Sequence, residues 1–207
     1  KNNIKLLKKK IILKKKINLQ YIKRTQPKII FFVHWSEIIP KKLYKNFLCI
    51  QFHSSNLPNF KGGSPIQNQI MQGLNKTKIS AFKVEKTLDT GKICLKQDLS
   101  LLGNAKDIFE RMERKSFQMI NVLVSKKNIK FYKQKRYGSF FPRRKPEQSN
   151  IETIEKPNLK KLYNFIRMLD ADGYPNAFIS FKEFKILLKQ TRINKNTLNG
   201  KFEIVKK

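Results

Sequence analysis

Apolar positions along this chain switch between two periods. Residues 29–33, IIFFV, and 48–52, LCIQF, are short apolar runs of the length of buried strands. Each run ends on a histidine, His34 and His53, and the chain has two histidines in all. Residues 78–85 and 93–97 alternate and predict two further strands, joined by a turn at Asp89-Thr90-Gly91. Helical spacing appears between and after them. One helix runs from Pro65 or Ile66 to Gly73, with proline at its start and glycine at its stop. Asn104 caps a longer helix that carries Ile108, Met112, Met119, Ile120 and Val122. Ile4, Leu7, Ile11, Leu13 and Ile17 fall at roughly helical intervals, predicting an amphipathic helix within residues 4–22, and residues 41–46, KKLYKN, predict a short helix or turn. Beyond residue 126 the pattern is irregular and basic. A short helix near residues 159–169 follows, then two or three alternating runs. Strands with intervening helices and a mixed edge predict a three-layer α/β unit over residues 1–125. Residues 126–207 read as a connector with a small, mostly β module.

Charge changes this picture less than its size suggests. There are 46 Lys and Arg against 14 Asp and Glu, a formal net charge of +32 over 207 residues. Such a balance attracts nucleic acid, anionic lipid or phosphorylated substrates. The lysines are spread evenly among Ile, Asn and Phe, so much of the charge reads as background on solvated faces; it argues most directly against a strongly basic ligand. Cys49 and Cys94 sit in apolar runs without metal-ligand spacing and read as buried thiols, with no metal site expected. No apolar run approaches membrane-spanning length. The lysine-rich start has interrupted apolar positions and no small-residue cleavage site after it, so the cytoplasm is the expected compartment.

Candidate chemistry concentrates in two segments, FHSSNLPNFKGGSPIQN after the second strand and KTLDTGKICLK around Asp89. A titratable residue at the end of a buried strand can reach a cleft while its backbone stays fixed. An imidazole oriented by a carboxylate is a general acid or base, which makes His53 and Asp89 the leading pair. The ordinary alternatives are a strand-end histidine satisfied by a turn and a turn-capping aspartate. Gly62-Gly63-Ser64-Pro65 offers a tight turn and a helix N-terminus able to receive a phosphate or carboxylate, or is simply a turn.

Order and spacing together resemble the formyltransferase family that takes a one-carbon unit from 10-formyltetrahydrofolate. His53 matches the family's histidine; Ser55, Leu57 and Pro58 match the stretch after it; Gly62 and Pro65 match the helix start, Thr77 the threonine loop and Asp89 the aspartate. The resemblance runs from about Pro27 to Met119, with a further match in the tail. The family asparagine falls on Gln51, which keeps a carboxamide on an arm one methylene longer. The family's opening strand and first glycine-containing loop are not matched, and the chain begins without methionine, so an N-terminally incomplete catalytic unit is expected.

The resemblance implies a formyltransferase-type three-layer Rossmann-like sheet and transfer of a formyl group from 10-formyltetrahydrofolate to a primary amine, without a metal. His53, Asp89 and Gln51 are the catalytic residues it implies. Trp35, Ser36, Ile38, Ile39 and Pro40 would form one wall of the pterin site, and Val84, Leu88 and Asp89 the other. For Trp35, a structural cap on the sheet competes with a stacking role. RRKPEQSNI and LYNFIRMLDADGYPNAF resemble formyltransferases that modify nucleotide-linked amino sugars, and the short tail favours such a small acceptor. Arg143, Arg144 and Arg167 would then suit diphosphate or carboxylate groups, although Arg167 can equally pair with Asp170 or Asp172. Methionyl-tRNA as acceptor and a non-catalytic nucleic-acid-binding remnant are the rival readings; a homodimer is among the assemblies allowed.

Overall fold

A computed structural model describes residues 16–135 and 137–207. The part of the expected 4–22 helix that precedes residue 16 lies outside the described residues. The elements in order are α1 (Leu19–Thr25), β1 (Ile29–Phe32), α2 (Lys41–Asn46), β2 (Leu48–His53), β3 (Lys61–Gly62), α3 (Pro65–Met71), β4 (Lys76–Lys83), β5 (Ile93–Ser100), α4 (Ala105–Ser125), β6 (Phe140–Phe141), α5 (Leu159–Arg167), β7 (Ala177–Phe181), β8 (Phe184–Ile193) and β9 (Leu198–Lys206).

The four-stranded sheet has the order β1-β2-β4-β5. Its β1–β2 pair is parallel, whereas β2–β4 and β4–β5 are antiparallel. Alternation along each strand sends side chains to opposite faces, and each face has its own cover. Ile50, Phe52, Ile79 and Ala81 face the main core, where they meet Ile66 and Ile70 of α3, Ile108, Met112 and Met119 of α4, and Phe165 and Ile166 of α5. Phe32, Cys49 and Val84 face the other way, onto Ile39, Leu43 of α2 and Ile22 of α1. The arrangement is therefore three-layered, as expected. Burial pushes the Cys49 thiol up to about 12 and the Cys94 thiol up to about 11, so both stay protonated at neutral pH.

Helix α4 starts on a full capping box: Asn104 accepts from Asp107 N, and the Asp107 carboxylate accepts from Asn104 N. Its buried positions, Ile108, Met112, Ser116, Met119, Ile120 and Leu123, recur every three or four residues. Val122, expected among them, is 44% exposed because it falls off that stripe.

The last three strands form an antiparallel sheet, β7-β8-β9, against which α5 packs. Its base shares the main core through Ala177, while Phe202 and Ile204 of β9 stand in solvent.

Arg167 is not available to a diphosphate, contrary to the reading from its position. The side chain is buried, 3% exposed. Its Nε donates to Asn164 Oδ1 at 2.9 Å, and Nη1 donates to the carbonyls of Leu101 at 2.6 Å and Gly103 at 2.8 Å. Neither aspartate pairs with it: Asp170 accepts from Gln190 N at 2.9 Å, and Asp172 meets Lys106 at 3.3 Å. Burial holds the guanidinium pKa below its ordinary value, with Tyr163 opposing. Arg167 ties α5 to the loop that starts α4. Arg167→Met should therefore cost about 3 kcal/mol of stability, because it strands the buried Leu101 carbonyl and the part-buried Gly103 carbonyl; urea unfolding measures it.

Candidate active site

Strand β2 sets the site because its last residue is His53. Gln51, two positions earlier, shares a face with it. The register places Gln51 between Phe32 of β1 and Phe82 of β4, and His53 opposite Ser80. His53 is 6% exposed and Asp89 3%. His53 Nε2 donates to the Phe60 carbonyl at 2.6 Å, while Nδ1 stands 3.6 Å from Asp89 Oδ2. That separation is an ion-pair distance for a protonated ring, longer than a hydrogen bond.

Asp89 reaches His53 from the loop between β4 and β5. It adopts φ +54°, a left-handed conformation that aspartate tolerates better than most side chains. Its Oδ2 accepts the Gly62 N–H at 2.8 Å. Glycine is required at 62: φ is +92°, and a Cβ there would lie 2.2 Å from the Phe141 carbonyl oxygen. The carboxylate is thus fixed from β3 before any substrate arrives.

The loop after His53 is held by buried polar contacts. Ser80 Oγ donates to the Ser55 carbonyl at 2.7 Å and accepts from Leu57 N at 3.2 Å. Lys96 Nζ donates to Asn56 Oδ1 and to the Leu57 carbonyl, both at 2.6 Å. Thr77 donates to Gln69 Oε1, and Gln69 Nε2 donates to the carbonyls of Ser54 and Pro65, both at 2.8 Å. Thr77 thus supports the histidine loop through Gln69. Gln51 is half-buried, and its carboxamide has no hydrogen-bond partner among the described residues.

The Gly62-Gly63-Ser64-Pro65 turn does not present an open anion site. Gly63 N donates to the Phe141 carbonyl at 2.8 Å, and Ser64 Oγ accepts from Arg144 N at 3.1 Å, so the connector takes up these groups. Arg143 Nη2 reaches the Ser36 carbonyl at 3.4 Å. The Arg144 guanidinium lies 5.5 Å over the Phe165 ring, and burial lowers its pKa. Arg144 lines a cavity of about 500 Å³ with Gln148, Lys161 and Phe165, whose lining includes neither His53 nor Asp89.

Of the residues expected to wall a pterin, Trp35, Ile39 and Val84 come together in one apolar cluster. Trp35 meets Phe32 edge-on at 5.6 Å, and its Nε1 is buried with no partner among the described residues. Ile39 and Val84 are buried, Pro40 is half-buried ahead of α2, Ser36 is exposed, and Ile38 and Leu88 project into solvent. Among the described residues there is no group of three His, Cys, Asp or Glu side chains able to hold a metal, and no helix long and apolar enough to cross a membrane.

Three groups at the site had no signal in the sequence. The Phe60 carbonyl is backbone. Gln134 donates from Nε2 to the carbonyls of Asp89 and Gly91, both at 2.8 Å, across more than 40 residues of chain. Ser139 Oγ accepts from Phe60 N at 2.8 Å.

Comparison with known proteins places the chain in a family. A family model described as Formyl transferase matches residues 5–126, and one described as Methionyl-tRNA formyltransferase, C-terminal domain, matches residues 146–205. The structure of a methionyl-tRNA formyltransferase from Clostridium thermocellum is 41% identical, with a TM-score of 0.88 over 95% of this chain and 86% of that one. A methionyl-tRNA formyltransferase of Fusobacterium nucleatum is 28% identical over 194 residues, 88% of this chain and 60% of its own length. The chain thus spans less than two thirds of that relative. A 4-N formyltransferase from Francisella tularensis shares the fold at 16% identity, with a TM-score of 0.69 over 84% of this chain and 76% of that one.

Proposed function

The chain belongs to the formyl transferase family, and from that premise we propose that it moves a formyl group from 10-formyltetrahydrofolate to a primary amine, the α-amino group of methionyl-tRNA. The observation that carries the chemistry is His53 held 3.6 Å from Asp89 at the end of β2, with the Gln51 carboxamide beside it on the same face. The observation that favours the acceptor is the match of residues 146–205 to the C-terminal domain of methionyl-tRNA formyltransferases. That match answers one of the two reasons for preferring an amino sugar, the shortness of the tail. A net charge of +32 also suits a polyanionic acceptor. In this reading residues 1–125 carry the transfer, and residues 126–207 form the connector and acceptor side.

The residues present fit a folate. Trp35 Nε1 is a buried donor without a partner, and the apolar side chains of Ile38 and Leu88 are exposed on the two segments expected to flank a flat ring. Trp35, Ser36, Ile38, Ile39 and Pro40 would hold the pterin on one side, and Val84, Leu88 and Asp89 on the other. When bound, 10-formyltetrahydrofolate supplies the formyl group as an amide on a nitrogen able to leave. His53 holds and moves the proton released by the acceptor amine. Its Nε2 is committed to the Phe60 carbonyl, so Nδ1, on the Asp89 side, is the nitrogen that exchanges. Asp89 orients the ring and balances the imidazolium charge. Gln51 donates toward negative charge developing on a carbonyl oxygen, a role worth about 3 kcal/mol when the donor is well placed.

The longer arm of Gln51 has a measurable consequence. Gln51→Asn should raise kcat by roughly tenfold, because the shorter carboxamide is held closer to the strand and loses less freedom on donating. An unchanged or lower kcat would show that the site is built around glutamine.

The test of the function is to incubate the chain with 10-formyltetrahydrofolate and, in parallel, methionyl-tRNA and a panel of UDP- and dTDP-linked 4-amino sugars, and to read products by mass spectrometry. Formylmethionyl-tRNA is the expected product. A formylated sugar alone overturns the acceptor, and no product with any acceptor from the folded chain overturns the activity.

A further inference from the structure

The connector between the two parts of the chain does more than join them. Hydrogen bonds, a ring stack and a close backbone approach run from it to the loops that hold His53 and Asp89. Gln134 Nε2 donates to both carbonyls that bracket the Asp89 turn, Asp89 and Gly91, each at 2.8 Å. Ser139 Oγ accepts from Phe60 N at 2.8 Å, and the Ser139 carbonyl accepts from Lys61 N at 2.9 Å. Phe141 stacks on Phe60 with ring centroids 5.2 Å apart and planes 11° from parallel. The backbones touch: a Cβ on Gly138 would lie 2.1 Å from the Pro58 carbonyl oxygen.

Both loops carry a backbone conformation that needs outside support. Asp89 has φ +54° and Phe60 has φ +55°. Non-glycine residues in this region cost of order 1 kcal/mol and persist where neighbours over-determine them. These two residues make the contacts that define the histidine: Phe60 through its carbonyl on Nε2, Asp89 through its carboxylate on the Nδ1 side. The connector therefore grips both strained residues from outside the strands on which the pair is built.

We propose that Gln134 and Ser139 are positioning residues for the His53–Asp89 pair, Gln134 by clamping the Asp89 turn and Ser139 by holding Phe60 so that its carbonyl fixes the imidazole. The role assigned to the pair rests on the proposed transferase reading, but the positioning itself does not. In consequence the catalytic pair is complete only when the connector is docked, which couples the acceptor side of the chain to the proton-handling side.

The experiment uses the full chain with Gln134→Glu, Ser139→Ala and Ser139→Thr. Gln134→Glu keeps the shape and replaces a donor facing two carbonyls with an acceptor; Ser139→Ala removes the acceptor for Phe60 N, and Ser139→Thr restores a hydroxyl. The first readout is amide hydrogen exchange by NMR. The Gly62 N–H bonds Asp89 Oδ2, so its protection should fall about tenfold or more in Gln134→Glu, with the amides of β4 and β5 unchanged. In Ser139→Ala the Phe60 amide should lose protection in the same way and regain it in Ser139→Thr. The second readout is the split between kcat and KM for formyl transfer. Both disruptive variants should lower kcat about tenfold or more with KM within about threefold, the signature of a contact that matters in the transition state. Unchanged exchange at Gly62 and Phe60 overturns the proposal. So does exchange that rises equally across β4 and β5, since the two side chains would then merely stabilise the fold. A chain that shows no transfer refutes the proposed function, while the exchange data still decide the positioning.

Discussion

His53→Ala is expected to lower kcat for formyl transfer by roughly 10³-fold or more while the chain stays folded. General acid–base catalysis contributes about 10² to 10⁴, and the described site offers no substitute. The other histidine, His34, follows β1 and is exposed. The cysteines are buried thiols raised to about 12 and about 11. Lys96 is occupied by Asn56 and the Leu57 carbonyl. Removing the imidazole also strips the Phe60 carbonyl of its donor, which costs about 1–2 kcal/mol. A loss of activity must therefore be separated from a loss of fold. His53→Gln makes that separation, since a carboxamide can still donate to Phe60 but cannot carry a proton between nitrogens. Circular dichroism and a melting curve close to the parent, together with turnover as low as in His53→Ala, would locate the loss in proton transfer. Turnover within a few-fold of the parent in either variant would sink the mechanism.

How much of this site could be read from the chain depends on which physical signal each residue leaves. His53 was legible because it ends an apolar run of strand length, and Asp89 because it sits in a turn between two alternating runs; periodicity carries both facts. The helices α3 and α4 were legible through their proline start and asparagine cap. For Arg167 neither the diphosphate contact nor the pairing with Asp170 or Asp172 holds: its partners are Asn164 and the carbonyls of Leu101 and Gly103, and backbone acceptors leave no mark in sequence. The same reason hides Gln134 and Ser139. The β3–β6 pairing that docks the connector is two residues long and parallel, too short to impose any periodicity. Val122 shows the opposite error, an apolar residue counted into a stripe that its angular position on α4 excludes. The argument from length against a tRNA-side module does not hold: the tail is short, yet residues 146–205 match the C-terminal domain found in methionyl-tRNA formyltransferases.

Asp89→Asn should lower kcat by about 10² to 10⁴, again with the fold intact, and it isolates charge from geometry. Asparagine tolerates the left-handed conformation at this position, and its Oδ1 can still accept the Gly62 N–H. The backbone turn remains clamped by Gln134, which touches only carbonyls. What disappears is the negative charge 3.6 Å from His53 Nδ1. A carboxylate there stabilises the imidazolium that forms when the ring accepts a proton, and in a site this enclosed the interaction is screened far less than at the surface. An amide offers no such balance and can present its NH₂ to the ring instead, which favours a ring nitrogen that accepts over one that must hold a proton. Asp89→Ala provides the contrast: it removes the acceptor for Gly62 N as well and should add about 1–2 kcal/mol of destabilisation to a similar loss of turnover. If Asp89→Asn turns over within threefold of the parent while Asp89→Ala does not, the carboxylate serves only to hold β3. The proton would then pass through His53 without an electrostatic partner. Losses of equal size in both variants, with the stability penalty confined to alanine, place the effect on the charge.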